Sequence, residues 1–263
     1  MSEWMTGKHA LITGASSGVG FEIARRLNGV CRKLTLVSRS MPPDETHEKP
    51  GTTIEWRLMD ICDYPDLSII MEDICEYNQI DAFIHCAGGT PVIQFFEEMT
   101  PETIAEIINV NTITPIMWLR ELLPRMVKNQ QLDGQKRAHV LMMSSRSAER
   151  ALPRLSVYAA SKAAIDKFIE AMQREYAVDH IAFTLVSPGS INTNFTKNWP
   201  AGDRDWHNEE SMTVEEAVEP IIQALNAQYA TNRISYESMT QWTREMGVLK
   251  KERKVDGHYG LRS

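Results

Sequence analysis

Tyr158 and Lys162 stand four residues apart in Tyr158-Ala159-Ala160-Ser161-Lys162, a spacing that puts a phenol and an ammonium on one face of a helix. A phenol with an ordinary pKa of about 10 gives up its proton slowly at neutral pH. A neighbouring ammonium stabilises the phenolate and eases the exchange, so the pair is suited to general acid-base work on an oxygen. The spacing alone occurs in many surface helices. Ser145, thirteen positions earlier, changes the reading: it ends a strand, and a strand end meets the next helix at the edge of a sheet where cofactors bind. Its hydroxyl can donate to an oxygen on which charge develops.

A second constellation lies near the start of the chain. Thr13-Gly14-Ala15-Ser16-Ser17-Gly18-Val19-Gly20 follows the apolar run His9 to Thr13 and opens a helical pattern through Ile23, Ala24 and Leu27. Small residues in a strand-to-helix turn let the backbone approach a pyrophosphate, and the helix N-terminus offers free amides and a favourable dipole. The spacing is TGxxxGxG rather than GxGxxG. The end of the second strand, where an acidic side chain would grip an adenosine ribose, holds Ser38 followed by Arg39. A guanidinium fork suits a 2′-phosphate that a carboxylate would repel, so NADP(H) is expected ahead of NAD(H). Asp60 and Ile61, at the end of the third strand, join this set. Asp60 either accepts from the adenine amino group or caps the next turn.

The elements that must position these groups are legible as alternating short apolar runs and longer stretches of helical period. That is the pattern of an α/β, doubly wound, Rossmann-type parallel sheet with helices on both faces, expected here as a single domain over 1–263. Strands are predicted at His9 to Thr13, Lys33 to Ser38, Thr53 to Leu58, Ala82 to His85, His139 to Ser144 and Ala182 to Ser187. Thr100-Pro101-Glu102 and Thr213-Val214-Glu215-Glu216 mark helix starts. Ser40 to Gly51, with three prolines, reads as a solvated loop. The stretch 194–212, with Trp199, Pro200, Gly202 and Trp206, reads as a substrate lid. Beyond it are predicted a short strand around Ile234 to Glu237, a helix near Gln241 and a basic tail, within a C-terminal extension over about 238–263.

Bulk properties set the outer limits. A chain of 263 residues, 43% hydrophobic and 24% charged, belongs with ordinary globular proteins. Its formal charge of −7 argues against nucleic acid as the main partner, and no apolar run approaches membrane-spanning length. Met1-Ser2-Glu3-Trp4 offers neither a basic region nor an apolar stretch of signal-peptide kind, so the cytoplasm is expected. Cys31, Cys62, Cys75 and Cys86 form no CxxC pair and have no histidine at zinc-ligand spacing, so no metal is expected and the thiols are read as reduced.

Together the motifs resemble the short-chain dehydrogenase/reductase family in its single-domain form, over roughly residues 7 to 230. The resemblance rests on TGASSGVG at Thr13 to Gly20, Ala87-Gly88 after the fourth strand, Asn111 in Asn109-Val110-Asn111, the Ser145/Tyr158/Lys162 set, and Pro188-Gly189 leading to Thr193. It implies NADPH-dependent reduction of a small ketone or aldehyde, with Tyr158 protonating the carbonyl oxygen. Lys162 would lower the phenol's pKa and hold the nicotinamide ribose, Ser145 would donate to the substrate oxygen, and Asn111 would hold a water that resupplies protons. Pro188, Gly189, Ile191 and Thr193 would shape the nicotinamide pocket. The resemblance also implies a homodimer or homotetramer, built on the helices around Thr103 to Val127 and Ser156 to Val178.

Two departures stand out. His85 and Cys86 replace the family's paired asparagines, and His85 is read as a core histidine. Ser17 replaces a basic residue common in NADP-preferring relatives, leaving Arg39 as the main phosphate ligand. Arg146, Arg150 and Arg154 lie beside the expected substrate pocket, but charged loop residues usually face solvent. A serine hydrolase would require a GxSxG elbow, which neither Ser145 nor Ser187 has. Alcohol oxidation, with NAD(P), and a non-catalytic NADP-binding role are the remaining alternatives.

Overall fold

The computed structural model describes residues 4–43, 47–63, 67–75, 79–128, 138–203, 211–228, 230–238 and 241. Seven strands form one sheet: β1 (His9–Thr13), β2 (Lys33–Ser38), β3 (Thr53–Leu58), β4 (Ala82–His85), β5 (Ala138–Met143), β6 (Ile181–Pro188) and β7 (Arg233–Tyr236). Their order is β3-β2-β1-β4-β5-β6-β7, with every neighbouring pair parallel. The chain leaves β1 toward β2 and β3, then returns to place β4 on the other side of β1. This reversal opens a crevice at the carboxyl ends of β1 and β4.

Helices α1 (Gly18–Leu27) and α6 (Val214–Asn226) cover one face; α2 (Leu67–Cys75), α4 (Thr114–Lys128) and α5 (Ser156–Glu175) cover the other. Alternation along β1 shows why the middle of the strand is apolar. Ala10 and Ile12 pack with Ile23, Leu27, Val218 and Ile221, whereas Leu11 points to the opposite face among Phe83, Trp118 and Ile165. Burial on both faces selects continuous apolar runs. Trp118 stacks on Phe83 with ring centroids 6.0 Å apart and donates its indole N–H to the Ile61 carbonyl at 3.0 Å, tying α4 to the segment after β3.

Helix starts follow their caps. The Thr100 hydroxyl accepts from the Thr103 N–H at 3.2 Å ahead of α3 (Pro101–Ile108). At α6, Thr213 Oγ1 accepts from the Glu216 N–H at 3.2 Å while Glu216 accepts from the Thr213 N–H at 2.9 Å, completing a capping box. Strands β1 to β4 have the predicted bounds. β5 runs one residue earlier than predicted at both ends, β6 one residue longer at each end, and β7 one residue earlier. The helical stretch expected around Thr103 to Val127 is present and contains a π turn, Asn109–Ile113, between α3 and α4.

The expected lid begins with a 3-10 turn at Asn194–Thr196, and its base is pinned. The Asn192 N–H donates to the Met212 carbonyl and the Met212 N–H to the Ser190 carbonyl, both at 2.9 Å. Trp206, most of the helix predicted near Gln241, and the basic tail lie outside the described residues. Among the described residues, no helix is long and apolar enough to cross a membrane.

Candidate active site

The turn after β1 can be built only from glycine at two points. Gly14 has φ +70°, and a Cβ there would lie 2.7 Å from the Ala87 nitrogen; a Cβ on Gly20 would lie 2.4 Å from the Gly14 carbonyl oxygen. Both glycines are therefore required for the close packing of α1 on β1 and β4. Ser17 caps α1 without a side-chain hydrogen bond, and no acidic residue occupies the first turn. The first turn of α1 thus borders the cleft through Gly18, Val19 and Gly20 with no side-chain cap on its leading amides. Thr193 closes over this turn, with its methyl 3.2 Å from where a Cβ on Gly18 would stand.

The adenosine end of the cleft is lined by Ser38, Arg39, Asp60 and Ile61. The Ser38 hydroxyl is committed to the Ser40 carbonyl at 2.6 Å. Arg39 is exposed and makes no ion pair among the described residues. Asp60 accepts from the Cys62 N–H at 2.9 Å, so one carboxylate oxygen caps the following turn, and the residue still borders the cleft.

At the end of β4, His85 is buried and its Nδ1 lies 2.9 Å from Thr13 Oγ1, while among the described residues its Nε2 makes no hydrogen bond. Burial, reinforced by the Lys162 charge, pulls the imidazole down to about 3, so the ring is a neutral core group. The thiol of Cys86 is pushed up to about 12 by burial and stays protonated. Gly88 and Gly89 follow with φ +148° and +156°. Asn111, in the π turn, bonds Gly89 twice: it accepts from the Gly89 N–H at 2.9 Å and donates to the Gly89 carbonyl at 2.7 Å, with a third bond to the Ile107 carbonyl at 2.9 Å. A π turn inside an α-helix re-aims side chains, and here it lets Asn111 reach the β4 edge from behind.

Tyr158 and Lys162 are buried on one face of α5. Nζ of Lys162 lies 5.9 Å from the Tyr158 ring centroid and donates to the Met143 carbonyl at 2.9 Å. Burial lifts the phenol to about 12, and the nearby Ser145 hydroxyl pulls the other way. Burial lowers the ammonium to about 8, and Asp166 opposes that fall. At neutral pH the site therefore holds a proton on each. Phe195 packs against the phenol with centroids 5.7 Å apart, and Trp199 packs behind Phe195 at the same separation.

These groups share one cleft of about 1770 Å³, bordered by Gly14, Ser16, Ser17, Gly18, Val19, Gly20, Ser38, Arg39, Asp60, Ile61, Ala87, Gly88, Ser145, Tyr158, Lys162, Pro188, Gly189, Ile191 and Thr193. Asn111 stands outside that wall, behind Gly88 and Gly89. Of the three arginines, Arg154 pairs with Asp203 at 2.7 Å and donates to the Ile93 carbonyl at 3.2 Å, and Arg146 pairs with Glu237 at 3.5 Å. Both charges are answered within the chain. Sequence reasoning missed the Met143 carbonyl and Asp166, and held Phe195 only as part of the expected lid. Only Asp166, four residues after Lys162, carried a visible signal.

A profile of the short chain dehydrogenase family matches residues 8–204, which include the glycine turn, Asn111, Ser145, Tyr158, Lys162 and Thr193. The chain belongs to the short-chain dehydrogenases. It is an oxidoreductase family, and a relative of that kind is an uncharacterized oxidoreductase of Staphylococcus saprophyticus, 25% identical over 224 residues, covering 83% of this chain and 91% of that one. The fold is also that of solved members. A short chain dehydrogenase from Burkholderia cenocepacia in complex with NADP superposes with a TM-score of 0.73 at 21% identity, covering 98% of this chain and 99% of that one. The 3-oxoacyl-[acyl-carrier protein] reductase of Brucella melitensis, in complex with NAD, gives 0.75 at 20% identity, covering 88% and 95%.

Proposed function

We propose that this short-chain dehydrogenase reduces a ketone or aldehyde to the alcohol with NADPH, as a single-domain homodimer or homotetramer of the cytoplasm. The observation that carries the reading is the convergence of the Tyr158 phenol, the Ser145 hydroxyl and the Lys162 ammonium in the cleft above the glycine turn. The glycine cradle and the open N-terminus of α1 fit a dinucleotide pyrophosphate, and the cleft is large enough for a dinucleotide together with a small substrate. Gly14 to Gly20 would hold the phosphates, Arg39 the 2′-phosphate, and Pro188, Gly189, Ile191 and Thr193 the nicotinamide end.

Bound there, a reduced nicotinamide would supply hydride to the carbonyl carbon. Tyr158 gives its proton to the carbonyl oxygen, Ser145 donates a hydrogen bond to that oxygen, and the phenolate is stabilised by the Lys162 ammonium until a proton from solvent restores it. A phenol held in the protonated form suits the reductive direction. Asn111 keeps a second lone pair on Oδ1 beyond its bond to Gly89. A Cβ on Gly88 would meet both Asn111 Oδ1, at 2.8 Å, and Lys162 Nζ, at 3.3 Å. That proximity supports a water shared between them as the resupply route.

Arg39, exposed and without an ion pair among the described residues, favours NADPH. The NAD bound by the Brucella reductase keeps NAD(H), and with it alcohol oxidation, as the second reading. A panel of carbonyls and alcohols run with both cofactors tests the assignment. Consumption of NADPH with a carbonyl, weakened in Arg39→Ala without a matching loss for NADH, supports it. Turnover with NADH alone, indifferent to Arg39, overturns the cofactor choice.

A further inference from the structure

We propose that Asp166 is a positioning residue for Lys162, and that its pairing with Arg233 sets how much negative charge the ammonium feels. The inference rests on the reading of Lys162 as the ammonium of the acid-base site.

Tyr158, Lys162 and Asp166 follow one another at four-residue steps, so a phenol, an ammonium and a carboxylate occupy one face of α5. The end of β5 answers all three with consecutive residues. The Met143 carbonyl accepts from Lys162, the Ser144 hydroxyl donates to Asp166 Oδ1, and the Ser145 hydroxyl lies near enough to the Tyr158 phenol to pull its pKa down. Asp166 is thus the group that fixes the middle of this strand end, and its side chain is only 7% exposed.

Its second oxygen is taken from the far edge of the sheet. Arg233, on β7, donates to Asp166 Oδ2 at 2.8 Å, and its other terminal nitrogen reaches Ser187 Oγ at 3.0 Å and Glu149 at 2.7 Å. A buried carboxylate one turn from a buried ammonium favours the charged form of the amine, and a guanidinium on the same carboxylate weakens that effect. The remaining groups facing Lys162 carry no charge near neutrality. On α5 this is the Tyr158 phenol, and at the end of β4 they are the neutral His85 imidazole and the protonated Cys86 thiol. Asn111 and Ser144 are uncharged. Among the described residues, the charge balance at Lys162 is therefore governed by Asp166 and by what Arg233 leaves of it.

The two sides of the pair must act with opposite sign, which a purely structural role would not produce. The test is a pH titration of the Lys162 side chain by NMR in the full chain carrying 13C,15N-lysine, with the signal assigned by its loss in Lys162→Met. Asp166→Asn should move the midpoint down, and Arg233→Gln should move it up, each by about one pH unit. Asp166→Glu, which keeps the charge, should bring the midpoint back toward that of the wild type. A midpoint in Asp166→Asn at or above the wild-type value, or one in Arg233→Gln that stays or falls, overturns the proposal. The alkaline limb of the reductive rate, measured alongside, separates the two readings. If the midpoints move as stated and the limb does not follow, Asp166 keeps its role and Lys162 loses its part in catalysis.

Discussion

Asn111 and Gly89 are joined by two hydrogen bonds in opposite directions, at 2.9 and 2.7 Å, so a side-chain amide pairs with a backbone amide as one strand pairs with another. Only a group that both donates and accepts can do this. Asn111→Asp keeps the size and loses the donor, setting a carboxylate oxygen against the carbonyls of Gly89 and Ile107. The expected cost is about 1–3 kcal/mol of stability, the price of stranded buried acceptors. Gly88 and Gly89 would shift with it, so turnover should fall about tenfold or more, since 1.4 kcal/mol in a barrier is a factor of ten. Thermal melts and steady-state kinetics of the variant check both.

Gly14 makes a sharper demand on the backbone. Gly14→Ala must hold a left-handed φ and place a methyl 2.7 Å from a backbone nitrogen that belongs to the next strand end. The conformation alone costs about 1–2 kcal/mol, and relief of the clash must separate β1 from Ala87, where the cofactor would lie. NADPH affinity, measured by nucleotide fluorescence, should drop by roughly tenfold or more for a loss of 1.4 kcal/mol or above. Wild-type affinity in this variant contradicts the placement of the dinucleotide.

Phe195 packs over Tyr158, with ring centroids 5.7 Å apart. Removing the ring in Phe195→Ala forfeits an aromatic contact worth about 0.5–1.5 kcal/mol and admits water to the phenol. KM for an apolar carbonyl should rise with little change in NADPH affinity, because the ring touches the substrate side of the cleft. An unchanged KM across a substrate panel would remove Phe195 from the pocket.

Acid stability follows from two buried histidines. Burial, with Lys33 and Arg32 adding to it, takes His9 down to about 4, and burial with Lys162 takes His85 down to about 3. Both are neutral in the folded chain at a pH where the unfolded chain, with pKa 6.5, binds a proton. Stability is therefore full above about pH 6.5 and is lost progressively as pH falls toward 4 and 3. At pH 5 each ring costs about 2 kcal/mol. Melting temperature measured from pH 8 to pH 4.5 should fall below pH 6.5, and the slope should be shallower in His85→Asn.

The inner strands β1, β2 and β4 were legible because burial on both faces writes them as largely apolar runs, whereas β3, at the sheet edge, is only partly buried and mixes Ile54 and Trp56 with charged residues. Tyr158 and Lys162 were legible because one helical face fixes their relation whatever surrounds it. The π turn at Asn109–Ile113 was not, since a single extra residue in a helix leaves the apolar period on either side intact. The partners of Arg154 and Arg146 were not legible either. Asp203 and Glu237 lie in the stretch after β6 and just beyond β7, and only the folded chain decides whether a loop arginine meets them or a substrate. Arg233 reaches Asp166 across 67 positions through the order of strands, which residue spacing does not encode.

The most direct measurement is turnover of NADPH with a responsive carbonyl in Tyr158→Phe, alongside NADPH binding in the same preparation. Loss of the proton donor should cut the rate by about 10²–10⁴-fold while binding persists, because the phenylalanine fills the same buried space. A variant that binds NADPH and turns over at the wild-type rate would show that the proton comes from elsewhere.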